Sequence, residues 1–309
     1  MLTTIARHGK LFLVAGLLAG LLLPDVARVL RPWLGEMVAV LLLLNAMRIG
    51  AREAFGGTEA LLRMGGVVVI YQLVLPLLAL GLFTLTGVLS HPFALAVVLM
   101  LAAPAVTGSL NFTILSGHDP APAMRLLVMG TALFPLTVLP VLWLLPQLGD
   151  AGPAALRLIA TILCAVGLGF ALRWVVRVDE VRKGQIDGLS TLLLMVVVVG
   201  LMAGVGPLLT EDPWRLGLWV LGVIAVNLGL QIIALLGLTR ANIRAAVPLS
   251  IIAGNRNIAL FFVALSDEVT APLLIFIGCY QIPMYLTPIL MKPLHARFAD
   301  HLKGQSASG

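Results

Sequence analysis

Apolar residues run through this chain in ten blocks, at about 11–30, 33–50, 64–89, 93–115, 124–146, 153–176, 188–209, 214–238, 246–265 and 271–291, with short polar stretches between them. Each block is long enough to carry a helix across the hydrocarbon layer of a bilayer. The pattern therefore predicts an all-α membrane protein of ten transmembrane helices. Two blocks depart from it. The fourth reads PAVTGSLNFT from Pro104, and the ninth reads PLSIIAGNRNIAL from Pro248, with Gly254, Asn255, Arg256 and Asn257 at its middle. An arginine at the bilayer midplane costs roughly 2.5–3.5 kcal/mol on insertion scales and is expected to face a partner or a polar cavity. Pro248 removes a backbone donor and Gly254 loosens the helix, so a span broken near its middle is expected.

Charge sets the orientation. Assigned alternately to the two sides, Arg7, Lys10, Arg48, Arg52, Arg63, Arg125, Arg173, Arg177, Arg182, Lys183, Arg240, Arg244, Lys292, Arg297 and Lys303 fall on the side of the N-terminus. Only Arg28, Arg31, Arg157 and Arg215 fall opposite. By the positive-inside rule both termini are expected in the cytoplasm, in a protein of the plasma (inner) membrane. Arg7 and Lys10 before Leu11–Leu23 imitate a signal peptide, but no small-x-small cleavage site follows, and the segment reads as the first helix.

An internal repeat accompanies these spans. Pro135 and Pro140 in the fifth block recur as Pro283 and Pro288 in the tenth, a shift of 148 residues. Pro104, Gly108, Ser109 and Asn111 in the fourth block answer Pro248, Gly254, Asn255 and Asn257 in the ninth, at a shift of 144 between the leading prolines. The chain reads as one transmembrane domain, 1–309, of two five-span repeats, 1–148 and 149–309. Five is odd, so the repeats lie inverted in the membrane, a pointer to secondary transporters with a site where the broken spans meet. A charged cytoplasmic connector, about 173–187, joins the halves, and a short cytoplasmic tail, about 292–309, ends the chain.

Composition removes other classes. Of 309 residues 60% are hydrophobic and 11% charged, and the mean hydropathy is +1.08, which excludes an ordinary soluble domain. The net charge of +6 lies in short loops between apolar spans, so nucleic acid is not an expected partner. Cys164 and Cys279 are isolated and lack metal-ligand spacing. The sequence holds no GxSxG, HExxH or P-loop motif and no membrane-buried acid pair, so no enzyme is expected.

The motifs PAVTGSLNFTILSG and IIAGNRNIALFFVAL, with the topology, resemble the bile acid:sodium symporter family and its wider relatives. The resemblance implies ten spans in two inverted repeats, with broken helices crossing at the fourth and ninth. It further implies that spans three to five and eight to ten form a core that moves against a panel of the other four. In that family sodium is held around the crossovers by groups that include a glutamate and a glutamine of the ninth span. Aligned on Gly254 and Asn257, this sequence has Ile252 in place of the glutamate and Arg256 in place of the glutamine. Thr107 and Ser109 match polar positions of the fourth span, Leu110 stands at the next, and Asn111 follows one step later. Gln72 and Thr131 are the remaining counterparts. Arsenite carriers of similar topology use a fourth-span cysteine, which is absent here.

A guanidinium has no acceptor atoms and repels a cation. The expectation is therefore a carrier for an organic anion, carboxylate or sulfonate, in which Arg256 replaces the coupling ion and no cofactor or metal is needed. Arg256, Asn255, Asn257, Asn111, Ser109 and Thr107 are the candidate substrate residues; Gly254, Pro248, Pro104, Gly108, Gln72 and Thr131 are candidates for the crossover or ion positions. Arg256 has a second role open to it, capping the carbonyls of a half-helix. Asn45, Asn227 and Gln231 read as interhelical contacts, His118–Asp119 as a capped turn or proton relay, and Trp143, Trp174, Trp214 and Trp219 as interfacial anchors. A sodium symporter with relocated ligands and a non-transporting metabolite receptor are the alternatives.

Overall fold

A computed structural model describes residues 1–50 and 58–298, with the side chains of Lys10 and of residues 58–63 left out. Arg52, Lys303 and the tail from 299 lie outside the described residues, as do the side chains of Lys10 and Arg63. Among the described residues the fold is all-helical, and the only strand-like pairing is an isolated bridge between Ala105 and Arg256. Between a short helix at Leu2–Arg7 and another at 292–298, the helices are α1 Gly9–Leu22, α2 Pro24–Ile49, α3 Met64–Leu85, α4 Pro92–Ala102, α5 Ser109–Leu115, α6 Ala121–Trp143, α7 Ala151–Val176, α8 Glu180–Glu211, α9 Pro213–Arg240, α10 Ala246–Gly254, α11 Phe261–Ala264 and α12 Asp267–Leu290. Among the described residues seven, α2, α3, α6, α7, α8, α9 and α12, are long and apolar enough to cross a membrane. The chain is a multi-pass membrane protein.

The first two apolar blocks do not fold as two continuous helices. Leu23 leaves helical geometry at φ −122°, ψ 64°, and Pro24 starts a new helix at its first position, where a missing N–H does no harm. A 3₁₀ turn, Arg31–Trp33, divides α2. Neighbours on α8 fix the path. A Cβ on Gly16 would stand 2.8 Å from Met195 O and one on Gly20 2.6 Å from Met202 Cβ, so α1 runs parallel to α8. Leu34 lies at Gly200 and Arg48 pairs with Asp187, so Leu34–Ile49 runs back. The reversal occupies Pro24–Trp33.

The helices sort into two groups. α1, the second half of α2, α7 and α8 pack on one another, while α3, α6, α9 and α12 surround the short pieces α4, α5 and α10. The groups meet closely where α11 lies against α2: a Cβ on Gly35 would stand 2.8 Å from Phe262 O. Near that contact Arg31 Nη2 donates to Asp267 O at 2.7 Å, and Gly204 lets α8 approach Leu274.

Two expectations are corrected. The 173–187 stretch is mostly helical, with only Arg177–Asp179 between α7 and α8. Arg177 closes α7 at φ 51°, Asp179 caps α8 by accepting from Arg182 N at 2.8 Å, and Arg173 donates to the Met47 and Arg48 carbonyls. Charge does not prevent a helix there, because caps and local pairs satisfy its ends. Trp143, Trp174 and Trp214 are exposed, as interfacial anchors are, but Trp219 is buried against His91 and Phe93.

Helix contact in this bundle depends on missing side chains. A Cβ on Gly169 of α7 would meet Leu43 O at 2.6 Å and Ala46 Cβ at 2.8 Å, whereas Gly167 has open space. Gly169→Val is expected to lower stability by about 1–3 kcal/mol through overpacking. Gly167→Ala, two residues away, is expected to leave it unchanged or raise it by about 0.5–1 kcal/mol. Thermal unfolding of the two purified variants in detergent compares them directly.

Candidate functional site

The two interrupted helices meet at their interruptions. Pro104 pushes Ala103 out of helical geometry to φ −64°, ψ 151°, as proline does to the residue before it, and α4 ends. The second break has another cause. Pro248 is the third residue of α10, in the first turn, so it does not break the helix as the sequence suggested. The Gly254 carbonyl is instead taken by Asn227 Nδ2 and by the Tyr280 hydroxyl, and Asn255 turns extended at φ −115°, ψ 95°. Gly254 has to be glycine: a Cβ would collide with Asn227 O and stand 2.6 Å from Gln231 Cγ.

The two extended segments then pair antiparallel. Asn257 N donates to Pro104 O at 2.8 Å and Val106 N donates to Asn255 O at 3.3 Å, with Ala105 opposite Arg256. This short ladder satisfies backbone groups that no helix supplies in a region without water.

Arg256 lies at its centre, 1% exposed. Its Nη1 donates to Ala103 O and its Nε to Ala253 O, both at 3.3 Å. Those carbonyls belong to the C-terminal ends of α4 and α10, the negative poles of two helix dipoles. The guanidinium carbon stands 4.7 Å from the Tyr71 ring centroid, a cation–π contact, and Tyr71 donates to Leu249 O at 3.2 Å. The Arg256 backbone N–H donates to the Tyr280 hydroxyl at 2.8 Å. Nη2 is buried and has no partner. Ile252, at the position aligned with a carboxylate, is fully buried and apolar.

The remaining candidates divide by accessibility. Asn255 is buried, donating to Ile251 O at 2.7 Å and Thr287 Oγ1 at 3.2 Å while accepting from Asn227. Ser109 is buried with an unpartnered hydroxyl. Thr107, Gly108 and Asn257 are half-buried and Asn111 is exposed one turn beyond Thr107. Asn45 of α2 donates to Thr107 Oγ1 at 3.1 Å, bringing the other helix group to the break. Gln72 is buried where α3 makes a π-helical turn, Ile70–Val74, because Pro76 has no N–H to return to the Gln72 carbonyl. Its Oε1 accepts from Thr137 at 3.1 Å, not from Thr131, which is half-buried six residues earlier.

Sequence reasoning set Asn227 and Gln231 apart from the site, but both join it. Gln231 Nε2 donates to Asn227 Oδ1 at 2.8 Å and to Thr287 Oγ1 at 3.1 Å, so a buried polar chain links α9 and α12 to the second break. Their i, i+4 spacing is the one sequence signal that points to a shared face. Tyr280→Phe removes one hydroxyl that both accepts from Arg256 N and donates to Gly254 O. The variant is expected to lose about 1–3 kcal/mol of stability, read as a lowered Tm, without loss of a ring contact.

Beyond α5, Asp119 accepts from Ala121 N at 3.0 Å, the capped turn expected for His118–Asp119. His295, on the short helix after α12, is fully buried with Nδ1 3.2 Å from Ser116 Oγ. Burial and the neighbouring His118 push His295 down to about 4. The unfolded chain then takes up this proton first, near pH 6.5. Stability is full above that pH and falls as pH drops from 6.5 through 4, by about 3 kcal/mol in all. Tm measured across this window is expected to slope less in His295→Gln than in the parent.

The fold and this central pairing define a multi-pass helical membrane protein with two interrupted helices joined at a buried cation. Comparison with family models and with curated proteins gives no match.

Proposed function

We propose that the protein is a secondary carrier for an organic anion of the carboxylate or sulfonate type, working by alternating access without a coupling ion. The observation that carries this reading is Arg256 itself: a guanidinium fixed between the carbonyl ends of two half-helices, with no carboxylate beside it among the described residues. A coupling cation held at such a crossover would sit among those carbonyls. Here a covalently attached charge occupies them. Held by carbonyls and a ring, it keeps its net positive charge in a medium of low dielectric, which favours an anion nearby and disfavours sodium.

In this reading the chain has ten spans in two inverted repeats, 1–148 and 149–309, with both termini cytoplasmic in the inner membrane. Support comes from the reciprocal pairing of 104–106 with 255–257 and from equivalent prolines inside α6 and α12. It also comes from packing: α1 on α8 corresponds, by the repeat, to α7 on α2. The group of α1, α2, α7 and α8 is the panel, and the rest is the core. The substrate meets Asn45, Thr107, Asn257 and Asn111, the polar side chains near the breaks that are not fully buried. Arg256 and Asn255, sealed beneath, act through charge and through the shape of the crossover. No cofactor enters.

Uptake into proteoliposomes tests this with a panel of labelled carboxylates and sulfonates. An anion carried alone moves net negative charge, so uptake is expected to be equal in sodium and choline buffers and faster at an inside-positive potential. Asn257→Ala, which removes a donor to a charged substrate, is expected to raise the apparent KM about tenfold. Strict dependence on sodium would sink the ion-free reading. Binding with no counterflow for any ligand in the panel would sink the carrier.

A further inference from the structure

At the end of α9 the surface holds a groove of about 450 Å³, walled by Ile232, Leu235, Leu236, Leu294, Arg297 and Phe298. Five of the six are apolar and the sixth is a guanidinium. The groove is independent of the central crossover and takes no part in the proposed transport site.

Its position names its neighbour. α9 is one of the membrane-crossing helices, and Ile232 and Ile233 on its outer side are 36% and 70% exposed. Apolar side chains exposed on such a helix face acyl chains, not water. Leu294 and Phe298 lie one turn apart on the short helix that follows α12 and form the opposite wall. The walls thus offer an apolar trough opening toward the bilayer.

Charge completes the match. Ile232, Leu236 and Arg240 follow at i, i+4 and i+8, so Arg240 extends the groove-lining face of α9 into its last turn. Arg297 stands in the opposite wall beside Phe298. Both arginines are exposed. A guanidinium against an apolar trough at the end of a membrane helix suits a phosphodiester, which it binds in a forked geometry, better than a neutral group.

We propose that this groove binds one anionic phospholipid, with an acyl chain along Ile232, Leu235, Leu236, Leu294 and Phe298 and the headgroup phosphate on Arg297 and Arg240. The site takes an anionic glycerophospholipid and excludes a zwitterionic one of the same chains, because the choline cation lies near both arginines. It ties the segment after α12 to α9, so its occupancy steadies the end of the bundle.

The full chain, purified in detergent, would be titrated with phosphatidylglycerol and with phosphatidylcholine while its Tm is followed, since a ligand of the folded state raises apparent stability. Phosphatidylglycerol is expected to raise Tm by several degrees and phosphatidylcholine to leave it unchanged. Arg297→Gln is expected to raise the half-saturating concentration of phosphatidylglycerol by about tenfold, the loss of one charge-assisted contact. A second measurement does not depend on that variant's stability. In Phe298→Trp the added tryptophan fluorescence should be quenched by phosphatidylglycerol with brominated acyl chains, and less by brominated phosphatidylcholine. Equal stabilisation by the two lipids, an unchanged titration in Arg297→Gln, or equal quenching by the two brominated lipids would overturn the assignment. So would binding at least about tenfold tighter in a chain ending at Phe298, because the trough would then be occupied by the chain's own final residues.

Discussion

A positive charge placed inside a helical bundle loses several kcal/mol of hydration, and only good geometry returns it. Arg256 gains its geometry from two sources at once. The C-terminal ends of α4 and α10 each present a carbonyl to the guanidinium, and Tyr71 presents its ring face. Each half-helix end would otherwise carry unpaired carbonyls in a region without water. The charge and the two helix ends therefore stabilise one another, and removing the guanidinium would leave both ends exposed to the same deficit. Pro104, Gly254, Asn227 and Tyr280 all serve to bring those ends to the positions where one side chain reaches both.

The two breaks are built differently although they pair as equals. The first is imposed by the backbone: Pro104 cannot donate and forces Ala103 extended. The second is imposed by side chains, since Asn227 and Tyr280 take the Gly254 carbonyl away from any helical partner. A proline break holds whatever surrounds it, whereas a captured carbonyl holds only while α9 and α12 stay in place. The buried chain Gln231–Asn227–Asn255–Thr287 secures them, tying α9, the second break and α12 together through five hydrogen bonds among side chains. Such a network is stable only when nearly complete, and its one unpartnered atom is Gln231 Oε1.

The membrane class and the two interruptions were legible in the sequence because they rest on local composition: long apolar runs, and polar residues where none should be. What escaped it rests on approach between distant segments. Asn227 and Gln231 look like any polar pair in an apolar span until α9 is laid against Gly254. Trp219 looks like the exposed tryptophans at 143, 174 and 214 until His91 and Phe93 cover it. The resemblance pointed to Gln72 and Thr131, but the hydroxyl that Gln72 accepts from is Thr137, because the π-turn before Pro76 changes the phase of the helix. The charged connector at 173–187 is mostly helix, because Arg177 and Asp179 cap the two helices within it and charged side chains are at home on exposed helix faces.

A mobile ion at a crossover leaves at some point of every cycle, and the pairing around it loosens when it does. A covalent guanidinium cannot leave, so the proposed carrier would keep the pairing of 104–106 with 255–257 through its cycle. On that proposal, movement lies where the two helix groups touch. The contacts there include close glycine approaches at Gly35 to Phe262 and at Gly204 to Leu274, the packing of α6 on α7, and the side-chain bonds Arg31 to Asp267 O and Asn45 to Thr107. A neutral bond such as Asn45 to Thr107 contributes about 1 kcal/mol, small enough for the proposed substrate to replace. The Asn45–Thr107 bond lies at the break itself, so a ligand that takes Thr107 from Asn45 would loosen the group of α2 from the paired segments while leaving Arg256 and its carbonyls intact.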